Sequence, residues 1–279
     1  VIIEGAGRTA WIVGVGSALI GLTTDETAAY FSTLANDLSR DRNRAESHIR
    51  YDIDMSFQPV TLVENRRVCD DITILVFDRK INVQAGEFIF LWIPGLGEKP
   101  FSALTDDPFS LVVIDVGIFT HGLMDLAPGT AAYVRGPHGI PVDPPEDAKI
   151  MAVAGGTGLA AVYQVARDFG NAEVFAGART AERLYFLDEC RQIAEVHVAT
   201  DDGSAGYHGV VTELLRERLQ GMTPAELDQV VFYNCGPQAM VHAAIAVQRE
   251  FCREEQIYSA IDYLTKCGVG ICGACATPD

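Results

Sequence analysis

Three cysteines near the end of the chain stand at C-x4-C-x2-C spacing, in the run Cys267-Gly-Val-Gly-Ile-Cys272-Gly-Ala-Cys275. Thiolates at that spacing are ligands of plant-type [2Fe–2S] clusters. The interleaved glycines let the backbone wrap closely and turn N–H groups toward the cluster sulfurs. Zinc sites more often pair two C-x2-C hooks or include histidine, and no histidine lies nearby. Three unrelated buried cysteines are the plain alternative. A cluster of this type needs four thiolates, and the motif offers three. The chain starts at Val1 and stops at Asp279, soon after the motif. It is therefore read as a piece of a longer polypeptide, with the fourth ligand expected beyond Asp279.

A second candidate is Ala152-Val-Ala-Gly155-Gly156-Thr157-Gly158-Leu159, after an apolar strand-like run and opening a helical pattern. Glycines at such a turn bring backbone N–H groups and the positive end of a helix close to a pyrophosphate. The G-x-G-x-x-G fingerprint is absent, so a tight structural turn stays open as an explanation. A later turn, Cys235-Gly236-Pro237, follows another strand-like run. Two turns at carboxyl strand ends define a crevice where ligands bind. A third candidate, Glu98-Lys99-Pro100-Phe101-Ser102, combines a cation, an extended proline step and a hydroxyl that can meet a phosphate. An ordinary surface turn is its alternative. His121, His138 and His208 are isolated from one another, and no G-x-S-x-G pentapeptide occurs.

The elements that must position these residues fall into two rhythms. From Val60 to Val134, short runs rich in β-branched and aromatic residues (Val60–Val63, Ile72–Phe77, Glu87–Ile93, Ser110–Val116, Ala131–Val134) are separated by Gly, Pro and Asp. This pattern predicts an antiparallel barrel of about six strands. From Lys149, apolar runs alternate with helical patterns: Ile150–Ala154, then a helix to Phe169; Glu173–Gly177 with Ala181–Glu189; Glu195–Thr200 with Val210–Leu219; Val230–Cys235 with Gln238–Phe251. In the last helix Met240, Ala244, Val247 and Phe251 form a stripe expected to face a sheet. Such alternation predicts a parallel sheet covered on both faces. The fold class is thus a β barrel plus α/β: a six-stranded antiparallel barrel, a parallel-sheet nucleotide lobe and a truncated cluster segment.

Before the barrel, Asn36 to Asp54 is polar and reads as a linker. The opening stretch up to Gly16-Ser17 reads as a buried strand followed by a helix from Asp25 to Leu38. Expected units are 1–38, a linker at 39–55, the barrel at 56–146, the nucleotide lobe at 147–255 and the cluster segment at 256–279.

Composition narrows the function. Over 279 residues the net charge is −17, which argues against a phosphate-tracking nucleic-acid binder and against an anionic membrane surface. The longest apolar run, Trp11 to Leu22, is interrupted by three glycines and falls short of the roughly 20 residues of a membrane span. Seven cysteines, four of them scattered (Cys69, Cys190, Cys235, Cys252), do not suit a secreted disulfide framework. The scattered four are expected to be small buried hydrophobes in a reducing, cytoplasmic setting.

Taken in order, these residues resemble the electron-transfer subunits of NAD-dependent dihydroorotate dehydrogenases, within the ferredoxin-reductase-like superfamily, over roughly Phe57 to Asp279. Lys99-Pro100-Phe101-Ser102 looks like the family's flavin motif, usually Arg-Pro-x-Ser. Lysine cannot supply the bidentate fork of arginine, so its pyrophosphate contact is expected to be a point charge. Val116, Gly117 and Thr120 fall where the family meets FAD a second time, and Gly136-Pro-His-Gly139 looks like its turn before the nucleotide lobe. Gly155, Gly156, Thr157 and Gly158, with Cys235, Gly236 and Pro237, match its nicotinamide-side turns. Lys266 through Cys275 is similar to its cluster loop. The opening piece resembles the last strand and helix of a flavin-dependent (β/α)8 barrel, where Gly16 and Ser17 match a phosphate grip on FMN.

The resemblance implies an oxidoreductase of pyrimidine biosynthesis. Electrons from dihydroorotate would pass from FMN on a barrel subunit, fused upstream or separate, through [2Fe–2S] and FAD to NAD. No general acid or base for dihydroorotate is expected in this chain, and Cys235 is expected to pack against the nicotinamide. A hetero- or homo-oligomer is implied, without nucleic acid or membrane. The competing reading is another ferredoxin–NADP reductase-like flavin and iron–sulfur subunit, such as a hydrogenase or sulfite-reductase partner.

Overall fold

The computed structural model describes residues 2–3, 56–261, 265–269, 272 and 274. The expected opening strand and helix, Gly16, Ser17, the linker and Cys275 lie outside the described residues.

Strand β1 (Ile2–Ile3) precedes the first lobe, which holds β2 (Gln58–Cys69), β3 (Ile72–Phe77), β4 (Phe88–Ile93), β5 (Gly97–Phe101), β6 (Ala103–Asp106), β7 (Phe109–Ile114), helix α1 (Ile118–Met124) and β8 (Ala131–His138). Hydrogen bonding orders the strands β5-β4-β8-β2-β3-β7-β6, with every neighbouring pair antiparallel. The two outermost segments, β5 and β6, are consecutive in the chain and separated only by Ser102. They act as one broken strand that bonds β4 on one side and β7 on the other, so seven segments make the six-membered barrel expected from the sequence. Strand β2 bonds β8 through Gln58–Thr61 and β3 from Leu62 onward, bending at an irregularity between Leu62 and Glu64. Alternate side chains point inward, and Leu62, Leu75, Phe77, Ile89, Leu91, Phe109, Leu111 and Val134 fill the interior.

The second lobe contains β9 (Lys149–Gly155), α2 (Gly158–Phe169), β10 (Ala172–Ala178), α3 (Leu187–Arg191), β11 (Glu195–Thr200), β12 (Tyr207–His208), α4 (Val211–Gln220), α5 (Pro224–Leu227), β13 (Val230–Cys235), α6 (Gln238–Gln248) and β14 (Ile257–Ile261). Its six parallel strands run β14-β13-β9-β10-β11-β12, and β1 pairs antiparallel with β14 at the edge. The parallel sheet is as the alternation predicts. Period-two side chains split its core in two. Ile150, Ala152 and Ala154 face α2, whereas Met151 and Val153 face α4 and α6. Of the expected α6 stripe, Ala244 and Val247 are buried; Val241 and Gln248 complete it, while Met240 and Phe251 lie at its margin. The segment 181–189, expected as one helix, is a single 3-10 turn at Ala181–Arg183 followed by the short α3.

The lobes share one core. Ile72, Ile74, Leu104 and Val112 of the barrel pack with Leu159, Val162 and Val165 of α2 and with the sheet beneath. Polar links reinforce the seam: Gln164 Nε2 donates to the Val83 carbonyl at 2.5 Å, Arg167 Nη1 to Asp106 Oδ1 at 2.7 Å, and Arg183 Nη2 to Asp71 Oδ2 at 2.6 Å. No helix among the described residues is long and apolar enough to cross a membrane.

Candidate functional site

The two predicted turns of the sheet meet backbone to backbone. β9 ends at Gly155 and α2 opens at Gly158, while β13 ends at Cys235. A Cβ added at Gly158 would lie 1.9 Å from the Cys235 carbonyl oxygen, and one at Gly236 would lie 2.7 Å from that of Gly155. One at Gly155 would strike Met240 Sδ at 2.5 Å and Pro237 Cδ at 3.0 Å. These glycines are therefore required by the contact between the turns. Gly156 differs: its φ of +55° is left-handed, and only Ile114 Cδ1, at 3.7 Å, would meet a Cβ there. Two buried groups hold this arrangement. Asn234 and Gln248 exchange amide hydrogen bonds of 2.9 and 2.8 Å, anchoring the end of β13 to α6. Tyr185 donates its hydroxyl to the Gly156 carbonyl at 2.8 Å; burial pushes its phenol well above the usual range, keeping it a donor. A crevice lined by Gly155, Gly156, Gly177, Arg183 and Tyr185 opens at these carboxyl strand ends.

Against the Gly156 turn stands the end of β7. Ile114 faces Gly156, and beyond it come Asp115, Val116 and Gly117. Thr120 knots this loop: its Oγ1 accepts from the Val116 and Gly117 N–H groups at 2.9 and 3.0 Å and donates to the Gly117 carbonyl at 3.0 Å. Val116 and Ile118 are 81% and 89% exposed, so the loop presents an apolar tip. His121 Nδ1 meets Asp115 Oδ2 at 2.8 Å, and that hydrogen bond and charge raise the imidazole pKa.

Lys99-Pro100-Phe101 lie on β5, a strand rather than a surface turn, and Ser102 follows at its break. Proline is tolerated because this is the barrel's broken strand. Helix α1 joins the two expected flavin-side segments: Phe119 packs on Phe101, ring centroids 6.3 Å apart, and near Gly97. Lys99 is exposed, with its ammonium available to an anion.

The Cys267 segment docks on β4 and β8 of the barrel. Gly268, at φ +84°, lies so close that a Cβ would sit 2.8 Å from Phe90 Cε2 and 2.9 Å from His138 Cδ2. Arg135 reaches from β8 to the carbonyls of Lys266 and Cys267. Cys267 is half-buried and Cys272 exposed; a positive-φ glycine next to a thiol, with its backbone pressed on the barrel, suits the tight wrapping of a thiolate-ligated cluster. Burial lowers the His138 pKa, with the Arg135 charge adding to the effect, so the ring is neutral.

Cys190 and Cys252 are not poised as nucleophiles. Burial pushes the Cys190 thiol up to about 12 and the Cys252 thiol to about 11. Sequence reasoning missed a further cluster at the opposite, amino-terminal end of the sheet. Glu173, only 2% exposed, accepts both Arg218 nitrogens at 2.8 and 3.0 Å and pairs with Lys149, with His197 and Glu195 alongside. Two cations already neutralise this carboxylate, which makes the cluster an ionic brace rather than a metal seat. Arg135, Tyr185, Arg183 and Asp71 were missed as well, since their partners lie far away in the chain.

The family model for the oxidoreductase NAD-binding domain matches residues 152–245. A probable dihydroorotate dehydrogenase B (NAD(+)) electron transfer subunit of Pyrococcus abyssi is 39% identical over 220 residues, 78% of this chain and 83% of that protein. Its counterpart in Methanocaldococcus jannaschii is 34% identical, over 75% of this chain and 79% of that one. Among solved structures, an NADH-dependent reduced ferredoxin–NADP oxidoreductase, studied for flavin-based electron bifurcation, is 26% identical with a TM-score of 0.68, covering 77% of this chain and 80% of that chain. A cytochrome P450 reductase from Amycolatopsis, 23% identical with a TM-score of 0.62 over 73% of this chain and 69% of that one, shares the fold.

Proposed function

The chain belongs to the family of dihydroorotate dehydrogenase B (NAD(+)) electron transfer subunits, and on that premise we propose that it carries electrons released by dihydroorotate oxidation to NAD. The observation that supports this most is the meeting of the Gly155–Gly158 and Cys235–Pro237 turns opposite the end of β7. In this reading a dinucleotide lies over these turns, at the carboxyl ends of the strands, and meets a flavin held on the barrel side. In this reading Gly156, Thr157 and the amino terminus of α2 receive the pyrophosphate of NAD, and Cys235 to Pro237 flank the nicotinamide. On the barrel side Lys99 to Ser102 take the FAD phosphates and ring edge, and Val116, Gly117 and Thr120 its second contact. Cys267, Cys272 and Cys275 ligate the [2Fe–2S] cluster.

Bound flavin supplies hydride exchange with nicotinamide and single-electron exchange with the cluster. The chain's own work is to position and to screen. Tyr185 holds the glycine turn by its carbonyl, which leaves N–H groups for phosphate. Lys99 contributes a point charge on an exposed stem. Ile114, at the end of β7, packs against the Gly156 turn. Dihydroorotate is oxidised by an FMN-containing partner, fused upstream or separate, for which Gly16 and Ser17 are the expected phosphate grip. A soluble, cytoplasmic protein fits this role.

The test is an anaerobic titration of the purified protein with NADH, together with flavin, iron and sulfide determinations. Stoichiometric FAD bleached by NADH is expected. Flavin that NADH cannot reduce removes the nucleotide assignment, and protein without flavin removes the barrel assignment. The likeness to a reduced ferredoxin–NADP oxidoreductase favours a second reading, a subunit serving another donor. Reduction of the flavin by dihydroorotate through a family FMN partner separates the two.

A further inference from the structure

We propose that Arg135 is a positioning residue that clamps the segment carrying Cys267 onto the strand carrying Lys99, so that cluster loop and flavin strand are held as one rigid body. The proposal rests on the reading of those segments as cluster and flavin sites. Arg135 is 4% exposed, deeper than an arginine is usually found. A guanidinium has five N–H donors, and here each has an acceptor. Nε meets Glu98 Oε1 at 2.6 Å, and Nη2 meets both Glu98 Oε2 and the Lys266 carbonyl at 3.1 Å. Nη1 meets the Cys267 carbonyl at 2.7 Å and His138 Nε2 at 3.3 Å. The plane also lies over the Phe90 ring, 3.8 Å from its centroid.

Glu98 neutralises the buried charge and immediately precedes Lys99 on β5. One guanidinium thus ties β5, 37 residues before it, to a segment more than 130 residues after it, by direct bonds to both. Arg135 grips the loop through main-chain carbonyls. Carbonyl and N–H point in opposite directions across a trans peptide, so the clamp turns the Cys267 and Gly268 N–H groups away from Arg135 and leaves them to the loop. Transfer between two redox groups falls steeply with separation, and a fully satisfied guanidinium fixes separation better than a flexible ammonium can.

The test compares the intact, flavin- and iron-loaded protein with Arg135→Gln and Arg135→Lys. Amide hydrogen exchange is followed across residues 265–269, and iron loss to a chelator is timed. Loss of an outer-shell partner typically costs about 10-fold or more at a metal site, so Arg135→Gln is expected to release iron about 10-fold faster. Exchange in 265–269 should rise while the β4 and β8 amides keep their protection, and Arg135→Lys should fall between. Wild-type exchange and iron retention in a folded Arg135→Gln protein would overturn the proposal. If that variant does not fold, Arg135→Lys decides: it keeps a charge for Glu98 but has only three donors, and a loop as protected as wild type is fatal to the clamp. If wild-type protein extended past Asp279 to supply the fourth thiolate holds no cluster after reconstitution, the cluster reading fails, and exchange at 265–269 still reports on the clamp.

Discussion

Replacing Gly158 with alanine separates two explanations for the glycine-rich turn. If the glycines serve the ligand, every one of them matters to binding and little to stability. The geometry says otherwise. A Cβ at Gly158 would lie 1.9 Å from the Cys235 carbonyl oxygen, and contacts under 3.0 Å essentially never occur, so the turns must part by about 1.1 Å (3.0 − 1.9). The atom struck is backbone, and the Asn234–Gln248 pair anchors it, so a rotamer change brings no relief. Overpacking typically costs about 1–3 kcal/mol; with rigid partners on both sides the upper end, about 3 kcal/mol, is expected. At Gly156 the only penalty is left-handed backbone, about 1 kcal/mol for alanine. Urea denaturation of Gly158→Ala and Gly156→Ala side by side measures the difference, with NADH titration of each as a companion. Equal stabilities for the two variants would falsify the packing argument and return the glycines to the phosphate.

Tyr185→Phe removes the hydroxyl that holds the Gly156 carbonyl; thermal unfolding should show a loss of about 1 kcal/mol, with NADH affinity lowered in parallel. Burial pushes the Glu173 carboxyl up, but hydrogen bonds from His197, Arg218 and Lys149 outweigh it and hold its folded pKa far below the usual carboxylate value. Its stabilisation is therefore complete above pH 4.5 and drains away as pH falls toward the folded pKa. Glu173→Gln should cost about 2 kcal/mol at neutral pH and flatten the acid limb of the stability profile. The Asp115 hydrogen bond and charge raise the His121 pKa; an NMR titration should place it above 6.5, and Asp115→Asn should bring it down.

What the sequence made legible was whatever repeats at short range. Ile72–Phe77 is a strand because branched and aromatic residues run without interruption, and its boundaries agree with β3. Ile150–Ala154 reads as a buried strand because it is continuously apolar, and it lies inside β9. Strands β5 and β6 were hidden because Gly97-Glu-Lys-Pro-Phe101 has neither alternation nor β propensity; ring closure, not composition, makes that stretch extended. Helix α1 is short and opens at an uncapped glycine, with Thr120 supplying the bond from inside the turn. The two nucleotide-side turns were visible as glycines, but their mutual contact is a property of strand order, with β13 next to β9. Arg135 left no local trace either. It stands before Gly136-Pro137 like an ordinary turn cation, and its carbonyl partners come from the far end of the chain.

The common apolar core beneath α2 constrains how this molecule can change over time. Cutting the chain in the Pro141–Pro145 crossing would strip Ile72, Leu104 and Val112 of their cover and leave Val162 and Val165 facing water. Neither half can be swapped for a foreign module without refitting that face, and neither should melt ahead of the other. Heredity can tinker with the rim of such a body; its halves must be inherited together.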